Sequence, residues 1–260
     1  MKPVISVAES VSIINRNLET LGSGLTASGK VTGRFRDSSG RSHSIGVGFD
    51  ALLSVIPPKH VRLDVQELGN TVVLFGSNDE VYWLHIARGE DTYRWGHHAA
   101  IRDPQQLGLS FRPDQLVEAL GLNPLPVGEK SGLMQRAEAD VQQLLFVQTD
   151  ASGRPVLNKE YWLQRREPRL VSRIIFRDRL GRVHMDSRLE DYRAIRPGGP
   201  LLPHHVHIEW PLEGGVLDFR AARWRMEPRL TADSPAFVAP HERGKHFRDM
   251  ILMDPAPPRE

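Results

Sequence analysis

The chain has 260 residues with 34 Lys and Arg against 32 Asp and Glu; its net charge of +2 is too small for a nucleic-acid footprint, and the arginines alternate with apolar residues instead of clustering. Hydrophobic residues at 40% and charged ones at 25% are ordinary for a globular protein with a sizeable core. With no cysteine, disulfides, thiolate zinc sites and Cys nucleophiles are excluded, and no apolar run approaches the ~18 residues of a membrane-spanning helix.

The N-terminus, Met1 to Glu9, has no signal-peptide apolar region, which fits either a cytoplasmic protein or a trimmed mature form. Residues 6–21 then read as an amphipathic helix. Val7, Val11, Ile14, Leu18 and Leu21 recur at helical steps, and Gly22-Ser23-Gly24 stops it. The period switches to two from Leu25 to Arg36, where Leu25, Ala27, Gly29, Val31, Gly33 and Phe35 alternate with polar residues. Small residues on that apolar side leave room for curvature. Asp37-Ser38-Ser39-Gly40 turns the chain, and Ile45, Val47 and Phe49 face inward on the return. Val61, Leu63 and Val65 follow in the next strand.

Residues 71–86 hold two apolar runs around Gly76-Ser77-Asn78-Asp79. Asn and Asp tolerate positive φ, so Asn78-Asp79 suits a two-residue turn. That turn sets Phe75 opposite Tyr82 and Val73 opposite Leu84. The hairpin is apolar on both faces, which predicts a place inside a sheet with cover on each side.

Residues 97–140 interrupt the pattern with a short helix at 114–120, carrying Leu116, Val117 and Leu120 and stopped by Gly121. Strands resume from Val141 to Met226, and a bulge near Arg220–Ala222 reconciles the two phases of the last one. The tail from Pro228, rich in Pro and charge, is expected to hold little regular structure. About ten or eleven strands joined by short turns predict an antiparallel sheet or partial barrel. Two short helices cover so large a sheet poorly, so an apolar cavity is expected.

The order of elements resembles the LolA/LolB-like lipoprotein-carrier superfamily. The resemblance rests on the leading amphipathic helix, the strand ending Arg62-Leu63-Asp64-Val65, and the turn Ser77-Asn78-Asp79-Glu80 leading into Tyr82-Trp83-Leu84. It covers residues 5–226 in architecture and Val61–Ile86 in motif. It implies a mainly β fold: a strongly curved antiparallel sheet, a half-open barrel, with helices over its mouth. It also implies acyl chains held between sheet and helices, no catalytic residues, and a setting in the periplasm or outer membrane of a bacterial envelope. The Arg-rich strands of the second half and the Pro-rich tail depart from that pattern.

His205 and His207 share a strand face with Glu209, and His204 precedes them, a set that invites a metal ion. Val206, Ile208 and Trp210 form the opposite apolar face, so the histidines sit where a wet face needs polar residues. His97-His98 adds ligands only if the fold brings it close. No Gly-x-Ser-x-Gly elbow and no phosphate-binding Gly loop occurs. The five tryptophans read as core packing or as part of a lipid slot.

The chain therefore reads as a non-enzymatic lipid or acyl-chain binder without cofactor or metal. It is read as one domain over 1–226, with 97–140 as an inserted lid, followed by a tail over 227–260. The strand phases give the lining as Leu25, Val31, Phe35, Val47, Phe49, Val61, Leu63, Val65, Val73, Phe75, Tyr82 and Leu84. Ile14, Leu18, Leu116 and Leu120 form the lid, with hinges in 121–132. The expected partners are a lipid or lipoprotein acyl chain and an envelope protein, with no nucleic acid, and the chain is read as a monomer. Second readings are a lipid-sensing regulatory domain and a metal-dependent hydrolase on the 204–209 histidines.

Overall fold

The computed structural model describes residues 3–19, 21, 24–36, 42–87, 91–100, 113–126, 132–150 and 152–254, and not the side chains of Val47, Pro113 and Asp114. The expected turn at 37–40, residues 101–112 of the expected lid insertion, and residues 127–131 of its expected hinge region lie outside the described residues.

Ser6 starts the leading helix. Its Oγ accepts the Glu9 amide at 3.1 Å, satisfying an otherwise orphaned donor. Helix α1 (Val7–Glu19) then buries Val11, Ile14 and Leu18 along one stripe. Six strands follow as a meander: β1 (Gly24–Arg36), β2 (Ser42–Ile56), β3 (His60–Glu67), β4 (Asn70–Ser77), β5 (Val81–Ile86) and β6 (Thr92–His97). Helix α2 (Pro113–Ala119) stands between the halves. The second meander runs β7 (Gly132–Ala137), β8 (Val141–Thr149), β9 (Pro155–Gln164), β10 (Val171–Arg177), β11 (Val183–Ala194), β12 (Leu201–Trp210) and β13 (Gly215–Glu227). A last strand, β14 (Asp249–Leu252), closes the chain.

Among the described residues fourteen strands join one open sheet, because β1 pairs antiparallel with β13 and so zips the two meanders together; among them only β14, on β6, is parallel. The seam is also where the sheet bends. The β1–β13 register skips Ala222, the bulge the sequence phases call for. On either side of it Phe219, Ala221 and Trp224 all face the interior. A Cβ on Gly29 would lie 2.2 Å from the Arg220 carbonyl oxygen, so only glycine allows the two strands to meet there. Further register shifts in β1–β2, β3–β4, β8–β9 and β9–β10 add curvature.

The β4–β5 hairpin turns one step later than its sequence implies. Asn78 Oδ1 accepts the amides of Glu80 and Val81 at 2.9 and 2.8 Å, which makes Asn78 the turn's opening residue. Phe75 therefore pairs with Leu84 and Val73 with Ile86. The shift is even, so each side chain keeps its expected face.

The tail holds little regular structure, as expected: a 3-10 turn at Pro235–Phe237 and strand β14; it is nevertheless packed against the sheet. The convex face of β4–β6 presents Leu74, Val81, Trp83 and Tyr93, and the returning chain buries Ala239 against them. An apolar sheet face must be covered, and here the tail covers it. Phe237 is 1% exposed, its ring 5.3 Å from His60 and its carbonyl bonded by Asn78 Nδ2 at 3.1 Å. Tyr93 is hydrogen-bonded to His241 Nδ1 at 2.7 Å, and Phe247 stacks on the Tyr93 ring at 4.2 Å.

Two tests follow from this packing. Phe237→Ala is expected to cost about 3–5 kcal/mol in urea unfolding; a loss below about 1 kcal/mol would show that the tail is no part of the core. Burial lowers His241 from its ordinary 6.5, with Glu242 raising it and His97 lowering it further. A base lowered in the folded state leaves the unfolded chain to bind the proton first on acidification. Its contribution is therefore complete above 6.5 and is lost as pH falls from there toward the folded value. From about pH 7 to about pH 5 the wild type should lose more stability than His241→Gln. Equal losses would remove this role.

Candidate functional site

Apolar faces of both meanders and both helices meet in one buried cluster on the concave side. It includes Ile14 and Leu18 from α1, Leu25 and Val31 from β1, and Val61, Leu63 and Val65 from β3. Phe75 and Leu84 from the hairpin, with Leu116 and Leu120 from α2, complete the expected set within it. Phe35, Phe49 and Val73 are half-buried and pack against its border. The side chain of Val47 lies outside the described residues. Tyr82 is fully buried but sits at the hairpin end, its ring 5.6 Å from His98 and apart from the cluster.

The sequence reading drew the lining from the first half alone. The second half supplies as much, through residues such as Leu144, Phe146, Tyr161, Ile174, Trp210 and Trp224. There too apolar residues alternate with polar ones, several of them arginines on the outer face. The interior is also better filled than expected. Leu25, Val31, Val61 and Val65 are 0% exposed, so this interior is closed to water.

Helix α2 shows how tightly the sheet wraps. It touches β3, β4 and β5 on one side. On the other, Glu118 reaches Lys159 and Tyr161 of β9, and Ser187 Oγ of β11 donates to the Ala119 carbonyl at 2.6 Å. In a flat sheet β3 and β9 would be seven strand spacings apart in this order, about 34 Å. A seven-residue helix is only about 10 Å long. Both contacts exist because the sheet curls round the helix. Gly121 ends α2 at φ +72°, with the Leu122 amide on the Val117 carbonyl at 3.2 Å and its own on Glu118 at 2.8 Å. That is the paired hydrogen bonding of a glycine C-cap.

Polar brackets at single points fasten the helices and the segment after α2. Asn15 of α1 holds both the amide and the carbonyl of Leu125, at 2.8 and 2.9 Å. Asn17 does the same for Leu201, at 2.9 Å each. The principal latch is Glu118, whose carboxylate takes the Lys159 ammonium and the Tyr161 hydroxyl, the latter at 2.5 Å. The Lys159 ammonium lies over the rings of Phe176 and Phe146, at 5.3 and 5.9 Å. Burial, then the charge of Glu118, pushes the Tyr161 phenol well above its ordinary value, so it stays protonated and donates.

The histidine cluster is a different arrangement on the opposite, convex face. His205 lies between Glu190 at 3.0 Å and Asp218 at 2.7 Å. His207 lies between the same Asp218 at 3.2 Å and Glu209 at 2.9 Å. Each of these four ring nitrogens thus faces a carboxylate oxygen. Burial raises Asp218, but the bonds from His205 and His207 outweigh it and hold the carboxyl below its ordinary value. Among the described residues no group of three or more His, Asp or Glu is placed to hold a metal ion. His204 points inward and is bonded to the Ala221 carbonyl at 2.8 Å. His97 and His98 lie on the other half of the sheet, on Asp254 and Ser77.

Compared as a sequence, the chain matches no family model and none of the curated proteins. Compared as a structure, it has the LolA-like fold. A domain from Vibrio parahaemolyticus described as an outer-membrane lipoprotein-sorting protein superposes with TM-score 0.52 at 12% identity, over 87% of this chain and 95% of that one. A LolA superfamily protein from Nitrosomonas europaea gives 0.53 at 11% identity, over 89% and 98%. A DUF1329 family protein from Desulfovibrio piger gives 0.53 at 11% identity, over 88% and 96%.

The latch makes a quantitative forecast. Glu118→Gln leaves Lys159 without a counter-charge in a mostly apolar setting and should cost about 3 kcal/mol. Lys159→Met paired with Glu118→Gln should cost less than the two single changes added. Additivity within about 0.5 kcal/mol in the double-mutant cycle would show that the two groups do not act together.

Proposed function

We propose that this LolA-like fold binds one acyl chain, free or on a lipidated protein, in the interior beneath α2, and carries it without catalysis. The observation behind this reading is the joint one of a continuous apolar interior and a short helix pinned over it at a few polar points. The interior's own polar groups are spent on fastening: Glu118 and Ser187 on the lid, His204 on the bulged strand. The floor of the slot is the set Leu25, Val31, Val61, Leu63, Val65, Phe75 and Leu84. Phe35, Phe49 and Val73 form its border, where a chain would enter. The similar structures named for lipoprotein sorting support a periplasmic or outer-membrane setting, with an envelope protein as hand-over partner. Among the described residues no helix is long and apolar enough to cross a membrane.

Magnitudes favour reversible loading. Swinging α2 out exposes Leu116, Val117 and Leu120, at about 1.5–3 kcal/mol each. A sixteen-carbon chain laid in their place returns about 0.8 kcal/mol per CH₂, on the order of 10 kcal/mol before ordering costs. The two terms nearly offset, so one apolar occupant exchanges for another. Gly121, at the helix end, is where such a swing would pivot.

Native mass spectrometry with saturated fatty acids of about 12 to 18 carbons tests this. One chain should bind per protein, more tightly with length, and Val73→Asp or Phe49→Asp at the border should weaken uptake about tenfold. No uptake at any length, or uptake indifferent to length and to both substitutions, would sink the reading.

A further inference from the structure

A second site lies on the opposite side of the sheet from the lid. Between the tail and the convex face of β3–β4 is a cavity of about 260 Å³ lined by Arg62, Leu74, Val238, Pro240, Arg243 and Lys245. Three of those side chains are cations, three are apolar, and none is acidic. The geometry points to a binding site for a phosphate ester, with the phosphoryl group among the three cations and its first carbons against Leu74, Val238 and Pro240.

The cations are held in place by the fold. Arg62 projects from β3, inside the sheet. Among the described residues its carboxylate partner is Asp64, 3.4 Å away, which also receives the Thr71 hydroxyl at 2.9 Å. Arg243 and Lys245 stand on a turn closed by the amides of Glu242 on Ala239, Gly244 on His241 and Lys245 on Pro240, at 3.0–3.1 Å. Gly244 takes φ +71° there, and the turn is seated by buried Ala239 before it and Phe247 stacked on Tyr93 after it. Among the described residues neither cation has an acidic partner. Arg243 donates to the Pro235 carbonyl at 3.3 Å, and Lys245 lies 5.2 Å over the Phe247 ring. Most of their donors are therefore uncommitted.

Three like charges round one cavity repel, and an oxyanion among them adds an attraction to each that offsets the repulsion. Phosphate presents enough acceptor oxygens to meet two guanidinium forks and an ammonium together, which a single carboxylate does not. The apolar wall and the volume leave room beyond the phosphoryl group, which favours an ester over the bare ion. A soluble phosphomonoester and the headgroup of an anionic phospholipid share this chemistry.

The test uses the full chain with two probes: glycerol 3-phosphate by calorimetry, and phosphatidylcholine vesicles with and without phosphatidic acid by flotation. The variant is Arg243→Glu with Lys245→Glu, both exposed, with native tail packing checked by the near-ultraviolet signal of Tyr93 and Trp95. Arg154→Glu with Arg166→Glu, on distant turns, makes the same change in net charge as a control. The wild type and control should bind one probe, the ester with Kd about 1 mM or tighter, and the site variant should lose at least tenfold. Binding of the ester identifies a soluble ligand, and binding of the acidic vesicles alone identifies a lipid headgroup. No binding of either probe, or equal losses in both variants, overturns the proposal. Fatty-acid uptake beneath α2 is on the other face and should be unchanged by Arg243→Glu with Lys245→Glu, so failure here is distinguishable from failure there.

Discussion

The contact of one short helix with β3–β5 on one side and with β9 and β11 on the other is the constraint on which the rest of this molecule depends. It requires a sheet curled through a large part of a barrel, and the curl is built at the β1–β13 seam. There the backbone approach at Gly29 and the bulge at Ala222 let the first and second meanders join at an angle. Without that join each meander would be a flatter sheet with its apolar face only partly covered. With it, both faces meet across α1 and α2 in one interior.

The two halves of the convex face solve the remaining exposure differently. Under β4–β6 the face is apolar and the tail lies on it. Over β9–β13 it is a ladder of charge. Arg177 pairs with Glu160, Arg173 grips Asp186 at 2.8 and 2.5 Å while stacking 4.7 Å from Trp162, and His205 and His207 share Asp218. The more exposed of such pairs contribute little each, in the range of about 0–1 kcal/mol. Their effect is to keep this face wet and to orient the strands' polar sides. The Glu118 latch differs because both partners are largely out of water, where breaking one side costs far more than removing both.

Much of this could be read from the sequence, for a physical reason. Strict alternation from Leu25 to Phe35 fixes which side is buried. The two apolar faces of residues 71–86 require cover on both sides, and helices and tail provide it. The bulge at Ala222 followed from a phase conflict in β13. What escaped reading depends on contacts distant in the chain. Glu118 and Lys159 are ordinary surface-type residues until the curl brings β9 to α2. The tail's anchors, Phe237, Ala239 and Phe247, follow no period, so no pattern marks them. Strand β7 and strand β14 are short and exposed, and pairing alone defines them. The hairpin register slipped by two because Asn78 can either centre a turn or open one, and only its bonds to Glu80 and Val81 decide.

The central claim is that α2 is a lid that gives way to an acyl chain while the sheet stays folded. Amide hydrogen exchange across 113–126, with and without a saturating sixteen-carbon fatty acid, tests it most directly. The account predicts faster exchange in α2 on loading, with β1, β3 and β11 as protected as before. Stoichiometric loading with α2 unchanged would contradict the lid. A simultaneous loss of protection in β1, β3 and β11 would show that the chain binds by unfolding the sheet.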